Sequence, residues 1–90
     1  MRGLKDKVVI ITGAAGGIGL AAALRFAEEG SRIVAADYAD CSSTVEAVKK
    51  IGAEVIAVKV DVTSLEDCRK MAATAIEIFG RIDVLINNAG

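Results

Sequence analysis

The residues able to do chemistry in this chain gather around glycines. Thr12-Gly13-Ala14-Ala15-Gly16-Gly17-Ile18-Gly19 holds four glycines in eight residues. Before it stand Val8, Val9, Ile10 and Ile11, an apolar run with no polar alternation, and after it comes an alanine-rich apolar segment, 18–27. The run suits a strand buried on both faces of a parallel sheet, and the segment suits a helix. A strand, a tight glycine turn and a helix start in that order make a place for an anion. The first turn of a helix has backbone N–H groups with no intrahelical acceptor and carries roughly half a unit of positive charge. Glycine removes the Cβ that would hold a phosphate away from the backbone. Gly13, Ala15, Gly16, Gly17, Ile18 and Gly19 are therefore the residues of a phosphate cradle. The Gly-Lys-Ser/Thr ending of a P-loop is missing, so the turn reads as the diphosphate site of a dinucleotide. A purely structural glycine turn is the alternative.

Carboxylates and amides at the ends of later apolar runs extend the same reading. Asp37 lies 18 residues after Gly19, at the end of a second run, 32–37. A dinucleotide fold uses an acidic residue roughly 20 positions on, to accept from the adenosine ribose hydroxyls. Such a carboxylate repels a 2′-phosphate, which favours NAD over NADP; a solvated turn residue is the plainer role. Asp61 follows a third run, 54–60. It could accept from an adenine amino group while the Val62 N–H meets a ring nitrogen, or it could make a local Asx turn before Ser64. Asn87 and Asn88 close the last run, 82–86, and lead into Ala89 and Gly90. Asparagine tolerates turn geometry and bonds nearby backbone, so Asn87 reads as a brace for the sheet. Asn88, Ala89 and Gly90 read as a border of the cofactor, with Gly90 permitting close approach.

The elements that must position these groups alternate. Ser42 or Ser43 caps a second helix with Val45, Val48 and Ile51 inward and Gly52 at its end. Ser64 and Asp67 form a capping-box pattern for a third, in which Cys68, Met71, Ala72, Ala75, Ile76 and Phe79 recur at intervals of three and four until Gly80. Strand–helix alternation with short connections implies right-handed crossovers and a parallel sheet. The expected fold class is α/β, a three-layer Rossmann fold with strand order 3-2-1-4. The first two helices lie on one face and the third on the other. The winding reverses between strands one and four, and ligands bind at that crevice. Val84-Leu85-Ile86 forms an edge, and an apolar edge invites pairing. A further strand is expected to cover it, with residues 1–90 the N-terminal portion of a longer domain.

Composition narrows the classes. Hydrophobic residues make up 53% and the net charge is −1, with no block of like charge. This gives no electrostatic case for nucleic acid or a membrane surface as a partner. The apolar run after Arg2, Lys5 and Lys7 is too short for a signal peptide, and no stretch reaches the length of a membrane span. A cytoplasmic protein is expected. Cys41 and Cys68 without any histidine make no metal site. No nucleophile–base pair and no paired carboxylates occur, so no catalytic residue is assigned.

Taken together, Thr12-Gly13-Ala14-Ala15-Gly16-Gly17-Ile18-Gly19 resembles the Thr-Gly-x-x-x-Gly-x-Gly motif of the short-chain dehydrogenase/reductase family. Asn87-Asn88-Ala89-Gly90 resembles that family's Asn-Asn-Ala-Gly motif, and Asp61-Val62 falls between them in register. The likeness covers the whole chain and is strongest to the 3-oxoacyl-acyl-carrier reductase-like and related alcohol dehydrogenase branches. It implies a nicotinamide cofactor and hydride transfer between an alcohol and a carbonyl, on a small-molecule substrate, in a dimer or tetramer. It implies that Gly13, Gly17 and Gly19 shape the diphosphate loop and that Ile18 gives an N–H to a phosphate. Asp37 then selects NAD, Asp61 and Val62 hold adenine, and Asn88 to Gly90 line the ribose side. The family's catalytic Asn, Ser and Tyr-x-x-x-Lys have no counterpart here, so this stretch alone is expected to be inactive. A non-catalytic nucleotide-binding module and an S-adenosylmethionine-dependent methyltransferase are the competing classes. The latter also uses a glycine loop and acidic strand ends.

Overall fold

Every side chain of Val8–Thr12 (β1) is buried, and the strand accordingly lies inside the sheet with a neighbour on each side. The computed structural model describes residues 3–88. Further elements are α1 (Gly17–Glu28), β2 (Arg32–Asp37), α2 (Ser42–Ile51), β3 (Val55–Lys59), α3 (Leu65–Phe79) and β4 (Val84–Asn87). The strands are parallel in the order β3-β2-β1-β4, the order expected from the alternation. Ile10 lies opposite Val34 on one side and Leu85 on the other; Thr12 lies opposite Ala36 and Asn87.

Strand alternation sends successive side chains to two cores. Val9, Ile11, Ile33 and Ala35 pack with Ala23 and Ala27 of α1 and Val48 of α2. Val8, Ile10, Val34 and Ala36 pack with Met71 and Ala75 of α3. Two helices on one face and one on the other is the three-layer arrangement. On α1 the buried residues are Gly19, Ala23 and Ala27, so the helix comes close to the sheet through its smallest side chains.

Four details differ from the sequence reading. Cys41, not Ser42 or Ser43, is the N-cap of α2, and the helix starts beneath Asp40, whose carboxylate accepts from the Ser42 N–H at 3.0 Å and hydroxyl at 2.6 Å. The inward face of α2 is Thr44 and Val48, while Ile51 is 42% exposed. On α3, Ile76 is 53% exposed because the buried positions, Met71 and Ala75, lie a full turn apart on the face beside it. The Ser64–Asp67 cap is present in one direction: Ser64 Oγ accepts from the Asp67 N–H at 3.1 Å. The return bond goes elsewhere, since the Asp67 carboxylate takes the Asp61 N–H at 3.0 Å. Ala89 and Gly90 lie outside the described residues. Among the described residues, no helix is long and apolar enough to cross a membrane.

At the lower end of the sheet, Asp83 fastens β4 to β1. Its Oδ2 accepts from the Val8 N–H at 2.8 Å, its own N–H donates to the Val8 carbonyl at 3.0 Å, and Arg81 donates to Oδ1 at 2.6 Å. The Arg81 hydrogen bond, then the Val8 N–H, hold the Asp83 carboxyl below its ordinary value. A carboxylate held down in the folded state stabilises the fold above its unfolded pKa, and that stabilisation is lost as pH falls through the folded pKa. Asp83→Asn should therefore lower the thermal midpoint at neutral pH, and the gap from the parent should close as acid protonates Asp83. Melting curves from neutral to acid pH check this; a constant gap would contradict it.

Candidate functional site

The glycine loop, residues 13–16, leaves β1 in the middle of the upper edge and turns into α1. Gly13 has φ of +68°, a left-handed conformation that disfavours any side chain. Its carbonyl accepts from the Gly16 N–H at 3.2 Å, closing the turn. Gly19 is required for a different reason. A Cβ there would lie 2.7 Å from the Ala14 Cα and meet the Gly13 carbonyl, so the helix could not fold back on its own loop.

Gly16 and Gly17 have no such internal need. Gly16 is extended, with φ −84° and ψ 166°, and a Cβ on it would make ordinary contact with the Gly13 carbonyl at 3.6 Å. A Cβ on Gly17 would meet nothing within 4 Å. Both are exposed. At Gly17, the first residue of α1, no contact among the described residues calls for a glycine. Ile18, next in line, is 77% exposed.

The start of α1 is also uncapped. Among the described residues, no side chain caps its first turn, and no acidic residue lies in that turn. In α3, by contrast, Ser64 caps the start and Glu66 and Asp67 follow it; in α2, Asp40 covers the first turn. The N–H groups of Gly17 and Ile18 have no intrahelical acceptor by helix geometry.

Asp37 stands at the end of β2 beside this loop. Its Oδ2 accepts from the Ala15 N–H at 2.9 Å and its Oδ1 from the Ala39 N–H at 3.0 Å. The carboxylate thus makes both the local turn and a contact to the loop that the sequence did not suggest. Tyr38, after it, lies with its ring 4.7 Å from Lys59 Nζ, and the two line a cleft of about 390 Å³ with Asp37, Asp40 and Cys41. The Cys41 thiol is raised, first by burial and then by the Asp37 and Asp40 charges.

Asp61 is at the end of the β3 connection, and its Oδ1 accepts from the Thr63 N–H at 2.9 Å and hydroxyl at 2.6 Å. These bonds hold its carboxyl below the ordinary value. The Asx turn weighed for it is therefore present, with Val62 exposed at its corner.

Thr12, to which the sequence assigns no role of its own, joins the two loops of the crevice. Its hydroxyl lies 3.2 Å from Asn87 Oδ1 and 3.3 Å from the Ile86 carbonyl, and it accepts from the Asn88 N–H at 3.1 Å. Asn88 Nδ2 in turn donates to the Gly13 carbonyl at 3.4 Å. Asn87 thus braces the β1–β4 junction, and Asn88 ties the end of β4 to the glycine loop. The structure brings Gly13, Ala15, Gly16, Gly17, Ile18, Gly19, Asp37 and Asn88 onto one rim around the loop. Asp61 and Val62 stand at the same end of the sheet, two strands away from β1, after β3.

Comparison with known proteins places this arrangement. Residues 7–90 match the family model described as short chain dehydrogenase. A 1,6-dihydroxycyclohexa-2,4-diene-1-carboxylate dehydrogenase of Acinetobacter baylyi is 48% identical over 87 residues, covering 96% of this chain and 33% of the relative. A crystal structure of hydroxysteroid dehydrogenase from Escherichia coli superposes with a TM-score of 0.92 at 36% identity, over 97% of this chain and 38% of that one. A short chain dehydrogenase from Mycobacterium paratuberculosis, solved bound to NAD, gives 0.91 at 33% identity, over 97% and 38%. The chain spans about a third of the length of the curated relatives it matches.

Proposed function

The chain belongs to the short-chain dehydrogenase family, and from that premise we propose that it is the cofactor-binding N-terminal portion of an NAD-dependent oxidoreductase that interconverts an alcohol and a carbonyl. Bound NAD supplies the hydride acceptor of the oxidation, or the donor of the reverse. The chain's own residues bind and orient it. The observation that carries the reading is the uncapped start of α1, where an added Cβ at Gly16 or Gly17 would meet no close contact among the described residues. A diphosphate resting there meets main-chain N–H groups and the positive end of the helix, with no Cβ in the way.

In this reading Gly13 and Gly19 give the loop its shape, Ala15 and Ile18 contribute backbone, and the Ile18 side chain walls the pocket. Asp37 accepts from the adenosine ribose hydroxyls while keeping its bond to Ala15. Its charge disfavours the 2′-phosphate of NADP. Asp61 and Val62 hold the adenine edge, and Asn88, with Ala89 and Gly90, borders the ribose nearer the nicotinamide. The proton-transferring groups belong to the remainder of the protein, as do the pocket for a small-molecule substrate and the surfaces of a dimer or tetramer. A cytoplasmic setting agrees with the two free thiols. The methyltransferase and non-catalytic module readings are not favoured by family membership.

Gly17→Val should fold, because its Cβ has open space, yet raise the Kd for NAD about tenfold or more by occupying the anion's place. Calorimetric titration beside a circular dichroism spectrum measures both, and parent-like affinity in the folded variant would overturn the cradle. Asp37→Ser should move the NAD to NADP preference toward NADP by about tenfold, since the repelling charge is gone. Affinities for the two cofactors give that ratio, and an unchanged ratio would remove the role assigned to Asp37.

A further inference from the structure

Resting on the cofactor reading above, we infer that Thr44, on α2 and outside the glycine motif, is a positioning residue for the diphosphate loop. Thr44 is 1% exposed, on the inward face of α2 between Cys41 and Val48. A hydroxyl buried there costs free energy unless it is bonded. It does not turn back onto its own helix, the common habit of a helical threonine; it donates to the Ala14 carbonyl at 2.6 Å, 30 residues away. The same peptide unit presents its other end, the Ala15 N–H, to Asp37 Oδ2 at 2.9 Å. One peptide plane is therefore gripped from both sides, by a helix on its carbonyl and by a strand end on its amide.

That plane lies where its direction matters. It separates Gly13, where the chain reverses at positive φ, from Gly16, the N-cap of α1. The peptide before it is held too, since the Ala14 N–H donates to the Ala36 carbonyl at 3.1 Å. Rotation of the Ala14–Ala15 plane would swing Gly16 and the first N–H groups of α1 away from their common direction, while the Asp37 carboxylate keeps its bond to the Ala39 N–H. Thr44 prevents this without approaching the anion. It also makes α2 a support of the cradle, which links the diphosphate loop to the carboxylate that reads the ribose.

The test compares Thr44→Val, which keeps the shape and removes the hydroxyl, with Thr44→Ser, which keeps the hydroxyl. NAD and adenosine are titrated by calorimetry at a temperature where circular dichroism shows every protein folded. A loop no longer held in its anion-binding geometry should raise the NAD Kd of Thr44→Val about five- to tenfold, with Thr44→Ser within about twofold of the parent. Adenosine, which carries no phosphate, should lose less than NAD. If Thr44→Val does not fold, Thr44→Ala against Thr44→Ser makes the same comparison. Parent-like NAD affinity in the folded Val variant, equal weakening of the Val and Ser variants, or equal losses for NAD and adenosine would overturn the role of Thr44. Failure of the parent itself to bind NAD would instead overturn the cofactor reading.

Discussion

An uncompensated helix end organises this structure. Among the described residues, α2 and α3 begin under carboxylates or a serine hydroxyl, whereas α1 begins with bare glycine backbone. Free N–H groups and the helix dipole leave a positive patch at the middle of the sheet's upper edge. The elements below it fix its place. β1 is wholly buried between β2 and β4, which sets the point where the loop starts in the middle of the sheet. Small residues on α1 then let the helix lie close to the sheet and aim its first turn over that point.

Around the patch, hydrogen bonds tie the loop to three neighbouring elements. Thr12 and Asn88 connect the loop to β4, Asp37 connects it to β2, and Thr44 connects it to α2. Each bond ends on loop backbone or on its immediate neighbour, and none reaches the N–H groups of Gly17 or Ile18. These side chains set the shape of the turn, and among the described residues none of them covers its open face. That division separates the glycines too: Gly13 and Gly19 answer to sterics within the chain, Gly16 and Gly17 to space outside it.

Much of this was legible in the residues. β1 and β2 could be bounded because unbroken apolar runs end against a glycine and an aspartate, and the strand order followed from alternation. Helix ends marked by Gly52 and Gly80 were visible for the same reason: both adopt positive φ. What could not be read were bonds across long sequence distances. Thr44 is an ordinary polar residue in the sequence, and its burial makes sense only once Ala14 is beside it. Ser42 and Ser43 looked like caps by type, but Asp40 reaches the first turn sooner and displaces them. Thr12 belongs to a motif visible in the sequence, yet its hydroxyl's place between two loops depends on the register of β1 with β4. The local Asx turn at Asp61 was foreseeable because its partner, Thr63, is two residues away.

The central claim is that the main-chain amides opening α1 receive a diphosphate. Adding ADP to the isotopically labelled protein and following backbone amide resonances addresses it directly. The account predicts that the Gly17 and Ile18 signals shift saturably, while those of Gly30 and Gly52, at the opposite end of the sheet, stay in place. Saturable shifts confined to other residues, with Gly17 and Ile18 unmoved, would contradict it.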